Sequence, residues 1–233
     1  MLSKIKISGM GARPLGGERE KMGTIKKDYA ASLIIGVASA ALSVIMVSNF
    51  GIKSPLVYLA VIVMLLVLPP LGVLIARLIG KKSHGLYQFI KFAETGGLNT
   101  FVDFGVLNFL ILITGFSAGL YYSVFKGISF TAAVINSYFW NKHWVFESKE
   151  KGKKEEKEFL KFVLVSISGF VINVSVASLI VYLAHGMTSP SPKIIANGAA
   201  AFAFILTMAW NFLGYKLLVF VKPQKTNGKK ASA

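Results

Sequence analysis

The chain of 233 residues contains no cysteine. That excludes disulfides, thiolate metal ligands and a cysteine nucleophile. Acidic residues are scarce, 10 against 26 lysines and arginines, and the three histidines, His84, His143 and His185, show no metal-ligand spacing. Charge of either sign is missing from long stretches. Residues 29–50, 55–76, 162–192 and 194–215 carry none, and 95–125 carries only Asp103. No catalytic triad or metal set is visible, and no strand precedes the glycines at 96–97 as a phosphate-cradling loop requires. The residues point to no enzyme, no cofactor and no metal.

What the chain does have is apolar length. It is 54% hydrophobic with a mean hydropathy of +0.62. A helix needs about 20 apolar residues to cross the hydrocarbon core of a bilayer. Dividing the long runs at "ITGFSAG" (113–119) and "HGMTSPSP" (185–192) predicts six helices, at 29–49, 56–80, 88–114, 120–141, 159–184 and 193–216. The expected fold is therefore an all-α polytopic membrane protein with six transmembrane helices. Of the 26 basic residues, all but Lys53, Lys126 and Lys193 fall in the first tail, the 77–91 turn, the 142–161 loop and the last segment. Six crossings put those four regions on one side, and the positive-inside rule makes that side, with both termini, cytoplasmic. The net charge of +16 is then explained by topology and anionic lipid rather than by nucleic acid. Residues 1–27 read as a basic cytoplasmic tail without a cleavable signal peptide, 28–84 as a transmembrane hairpin, 85–222 as a four-helix membrane domain and 223–233 as a disordered tail.

The last four helices contain a repeat. "FIKFAETGGLNTFVDFG" from Phe89 matches "FLKFVLVSISGFVINVS" from Phe159 at an offset of 70, which sets Asp103 on Asn173. "NKHWVF" from Asn141 matches "YKLLVF" from Tyr215 at an offset of 74, which sets Lys142 on Lys216. Each copy is a helical hairpin, and the two run parallel, related by an axis along the membrane normal. Transporters built this way place their site between the copies. The first two helices match neither copy.

The motifs "GGLNTFVDF", "YFWNKHWVF" and "NFLGYKLLVF", spread over 85–222, resemble the GtrA-like family of small polytopic membrane proteins. Tyr215 and Leu218 stand where the family's second copy usually has Asn and Trp. The resemblance implies a cell-membrane flippase, or a flippase subunit, for a polyprenyl- or dolichyl-phosphate-linked monosaccharide used in cell-surface polysaccharide or glycan synthesis. Two other functions stay open: a proton-coupled small-molecule antiporter working through Asp103, and a non-transporting membrane partner of a glycosyltransferase. A homo-oligomer is a further candidate assembly.

The candidate substrate-binding residues are Asp103, Lys126, Asn99, Asn173, Lys142 and Lys216. A carboxylate at membrane depth is costly unless paired or used. At ~1.5 Å per residue Asp103 lies roughly 16 Å from one end of its helix and Lys126 roughly 9 Å from the matching end of the next, so a lysine stem bridges much of the difference. The pair is either a helix clamp or a polar site for a head group or proton. Asn99, one turn from Asp103, Thr100 and Asn173 offer donors and acceptors to sugar hydroxyls or to neighbouring helices. Lys142 and Lys216, with Lys91 and Lys161, either ring a lipid phosphate or simply meet anionic lipid. Gly96, Gly97 and Gly105 read as close-packing positions, Glu94 as a local partner of Lys91, and Trp140, Trp144, Tyr87, Tyr121 and Tyr122 as interface anchors.

Overall fold

The computed structural model describes residues 15–184 and 192–221. The first 14 residues, most of the 185–192 turn and the expected tail from 223 lie outside them. Six α-helices follow one another: α1 (Leu15–Asn49), α2 (Pro55–Gly80), α3 (His84–Thr114), α4 (Gly119–Trp140), α5 (Lys153–Leu183) and α6 (Pro192–Gly214). No strand occurs among the described residues. The turn signals act where they stand. Pro55 opens α2, the Ser83 hydroxyl accepts from the Leu86 N–H at 3.4 Å, and Gly115 closes α3 at φ 74°. Two expected boundaries move. α1 begins at Leu15, because "EREKM" is made of strong helix formers, so half of the expected tail is helical. α5 begins at Lys153, with Glu155 and Glu156 in its first turn against the helix dipole.

The molecule is a multi-pass membrane protein. Five of the six helices are long and apolar enough to cross a bilayer. α4 is diluted by Tyr, Ser, Lys and Asn, but its 22 residues still reach ~33 Å. Large apolar side chains face outward along every helix, among them Leu56, Leu120, Phe170 and Tyr182. In water such a surface would be untenable; in lipid it is the solvated face.

α3 packs with α4, and α5 with α6, as two hairpins, while α4 and α5 touch only sparingly. Both hairpins end alike. α4 runs into a π-helical turn at Asn141–Val145 and α6 into one at Tyr215–Val219, which is the same five positions at the offset of 74. In each, the first residue's carbonyl accepts from the N–H five residues on, Phe146 at 2.9 Å and Phe220 at 2.8 Å. At this end aromatic rings join the hairpins. Phe146 stacks on its equivalent Phe220 at 5.0 Å, Tyr138 meets Phe162 edge-on at 5.4 Å, and Phe89 meets Phe212 edge-on at 5.2 Å. Such pairs contribute about 0.5–1.5 kcal/mol each beyond their burial.

The first hairpin, α1–α2, packs on α3 and is latched there by one carboxylate. Asp28 is fully buried. It receives Arg77 at 2.7 Å, Lys91 at 3.1 Å, the Trp144 indole N–H at 3.1 Å and the Tyr87 hydroxyl. Trp144, expected at a membrane interface, is instead 2% exposed in the core, because its N–H is needed by Asp28. Lys91 is taken by Asp28 and lies 3.8 Å from Glu147, so it does not pair with Glu94. Both Glu94 carboxyl oxygens are buried without a hydrogen-bond partner.

Candidate functional site: a groove between the hairpins

Where α4 and α5 part, a cavity of about 710 Å³ opens among α3, α4, α5 and α6. The repeat maps onto its walls. At the offset of 70, Phe92, Gly96, Gly97 and Thr100 of α3 pair with Phe162, Ser166, Ile167 and Phe170 of α5. At the offset of 74, Phe130, Ala133, Val134, Ser137 and Asn141 pair with Phe204, Thr207, Met208, Asn211 and Tyr215. All of these residues line the cavity, so it lies along the axis relating the two hairpins. The four remaining lining residues, Ala93, Asn99, Asp103 and Phe104, all belong to α3.

The two sides differ in chemistry. α3 presents a polar stripe of Asn99, Thr100 and Asp103 beside two glycines. The facing wall carries an apolar strip of Ile167, Phe170, Phe204 and Met208, with Ser166, Thr207, Asn211 and Tyr215 beside it. Gly96 and Gly97 were expected to let helices pack closely, yet a side chain built at either would meet nothing within 4 Å. They make room for the groove. Gly105 does pack: a Cβ there would come within 2.7 Å of Leu42 on α1.

Asp103 and Lys126 meet, Oδ2 to Nζ at 2.5 Å, and the Ser129 hydroxyl donates to Asp103 Oδ1 at 2.7 Å. The Asp103 side chain is 21% exposed and that of Lys126 40%. Ser129, invisible as a partner in the sequence, is fully buried and lies one turn beyond Phe125 on α4. Asn99 accepts from Asn136 at 2.8 Å, a bond between α3 and α4. Thr100 donates to its own helix, at the Gly96 carbonyl.

The other candidates stand elsewhere. Asn173, the counterpart of Asp103, does not line the groove, and neither do Lys142 and Lys216. Lys142 is 2% exposed and held by Glu155 at 3.0 Å, Glu158 at 3.1 Å and the Glu150 carbonyl at 2.8 Å. Its ammonium is already matched by two carboxylates. The acids come from the start of α5, which hydropathy alone leaves in the 142–161 loop. Lys216 has no carboxylate within ion-pair range among the described residues and lies over the Phe212 ring at 5.5 Å. The two lysines therefore share a sequence position but not an environment. Lys161 donates to the Leu218 carbonyl at 3.3 Å.

Residues 91–220 match the model of the GtrA/DPMS transmembrane domain, which is the α3–α6 unit that encloses the groove. The chain belongs to the GtrA/DPMS transmembrane-domain family. The uncharacterized membrane protein YngA of Bacillus subtilis (strain 168) is 31% identical over 132 residues, covering 56% of this chain and 77% of YngA. No solved structure shows significant similarity. The GtrA/DPMS family is associated with moving lipid-linked sugars across membranes, and its members are typically non-catalytic. The α1–α2 hairpin precedes the matched region, so the Asp28 latch is built across its edge, from Asp28 and Arg77 outside to Lys91 and Trp144 inside.

Proposed function

We propose that this protein is a translocase, or the membrane subunit of one, for a monosaccharide linked to a polyprenyl or dolichyl phosphate in the cell membrane, with both termini in the cytoplasm. The observation that carries this reading is the groove between the repeats, with a polar stripe of Asn99, Thr100 and Asp103 on α3 and an apolar strip of Ile167, Phe170, Phe204 and Met208 on α5 and α6. Such a lipid has a polar head that cannot cross hydrocarbon and a tail that need not leave it. A head group moving along Asn99, Thr100 and Asp103 exchanges water for hydrogen bonds, while Ile167, Phe170, Phe204 and Met208 offer an isoprenoid chain an apolar wall. The volume is that of a small-molecule site. A proton antiporter working through Asp103 fits less well, because both carboxylate oxygens are engaged by Lys126 and Ser129.

The test is movement of a radiolabelled short-chain polyprenyl-phospho-hexose in vesicles, read as protection of the sugar from an impermeant oxidant. Protein-dependent exchange between leaflets, lost in Gly97→Phe, supports the reading. Exchange no faster than in empty vesicles contradicts it.

A further inference from the structure

The end of the groove beside the π-helical turns is chemically incomplete. Asn141 lines it and is 1% exposed. Its amide nitrogen donates to the Ser137 carbonyl at 2.8 Å and lies 3.3 Å from the Ser137 hydroxyl oxygen. A carbonyl oxygen only accepts, so this bond settles which end of the amide carries the hydrogens. The other end, Oδ1, is buried with no partner. A buried acceptor left without a donor is unfavourable and uncommon.

Its equivalent in the second copy is Tyr215, 4% exposed. The Tyr215 and Ser166 hydroxyl oxygens lie 2.6 Å apart, and Ser166 donates to the Phe162 carbonyl at 2.8 Å. With the Ser166 proton committed, Tyr215 donates to Ser166, and the phenolic oxygen keeps its own accepting capacity. The repeat thus sets two buried acceptors on either side of its axis, each on the first residue of a π-helical turn.

Charge narrows what completes them. Among the described residues Asp103 is the only charged one lining the groove. On the π-turn side Lys142 is held by Glu155 and Glu158 and Lys91 by Asp28, while Lys216, without a carboxylate in ion-pair range among the described residues, does not line the groove. A phosphate diester brings negative charge, and no cation among the described residues lines this end to answer it. A sugar hydroxyl brings a donor and no charge.

We propose that the π-turn end of the groove is a hydroxyl-reading subsite, in which Asn141 Oδ1 and the Tyr215 hydroxyl accept hydrogen bonds from the sugar while the phosphate stays outside it. This rests on the translocase reading and deepens it: the sugar, not the phosphate, is what the groove recognises at this end.

The test titrates the purified full-length protein in detergent with three probes. These are a short-chain polyprenyl phosphate, the same lipid carrying a hexose, and versions of the latter with one hydroxyl replaced by fluorine, which cannot donate. The hexosylated lipid should bind about tenfold tighter than the bare phosphate, and at least one fluoro analogue should lose about three- to tenfold, as one or two uncharged hydrogen bonds imply. Tyr215→Phe, which removes a single oxygen, and Asn141→Leu, which keeps the shape, should each bring the hexosylated lipid towards the affinity of the bare one. Equal binding of bare and hexosylated lipid by the unaltered protein overturns the subsite and leaves the translocase reading standing, as do variants that weaken both lipids equally. Binding of neither lipid overturns the translocase reading itself.

Discussion

Breaking the Asp103–Lys126 pair from its two ends should not cost the same. The two groups lie 2.5 Å apart, but Lys126 is 40% exposed and Asp103 21%. In Asp103→Asn the amide oxygen still accepts from Ser129, and the released lysine turns outward along its stem, so the loss should be about 1 kcal/mol, that of an exposed pair. In Lys126→Gln the carboxylate stays in the groove with Ser129 as its one remaining donor, and the loss should approach the ~3 kcal/mol of stranding a buried charge. The double variant carries no charge to strand and should return to within about 1 kcal/mol of the parent. Chemical unfolding in detergent micelles, followed by tryptophan fluorescence, measures all three. Equal losses in the single variants, or a double variant no better than Lys126→Gln alone, would refute the exposure argument. Transport then separates clamp from site. If Asp103 meets the head group, the double variant folds well and does not transport; a double variant that folds and transports normally makes the pair a helix clamp.

The two kinds of glycine on α3 should diverge: Gly105→Ala forces its Cβ against Leu42 and should cost about 1–3 kcal/mol, whereas Gly97→Ala, facing open space, should be neutral or slightly stabilising in the same unfolding assay. Lys142→Met strands Glu158, whose side chain is 8% exposed, and should cost about 3 kcal/mol, while Lys151→Gln in the exposed loop should leave the unfolding curve in place. Because the chain has no cysteine, single cysteines report topology without background. A cysteine at Lys151 should react with an impermeant maleimide only after cells are opened and one at Lys53 in intact cells, and the reverse pattern would invert the orientation.

Much of this was readable in the sequence, for physical reasons. Charge-free runs of about 20 residues have one stable arrangement in lipid, so all six helices appear where hydropathy places them, with bounds within a few residues except at the starts of α1 and α5, which extend into charged sequence. α4 was legible by its length between turns even though its mean hydropathy is diluted. Asp103 and Lys126 were found by helical arithmetic, because an antiparallel hairpin leaves little freedom in who faces whom. Contacts of long sequence separation were not legible. Asp28 and Trp144 are 116 residues apart, and nothing local marks the tryptophan as a donor to a buried carboxylate rather than an interface anchor. Lys142 misled for a related reason: the repeat equates it with Lys216, but only the first copy is followed by Glu155 and Glu158. The glycines at 96 and 97 misled because absence of a side chain permits either a close neighbour or an open space, and the sequence does not distinguish them. The offsets of 70 and 74, carried along all four helices rather than matched at motifs, already pair the residues that line the groove.

The central claim is that the groove between the hairpins holds a lipid-linked sugar. The most direct measurement is mass spectrometry of the lipids that co-purify with the protein extracted gently from its native membrane, set beside those of Gly97→Phe. The account predicts a polyprenyl-phospho-hexose or its dolichyl equivalent with the parent protein, depleted when the groove is filled, and bulk phospholipid unchanged between the two. Bulk phospholipid alone with both proteins, or the glycolipid retained equally by Gly97→Phe, would contradict it.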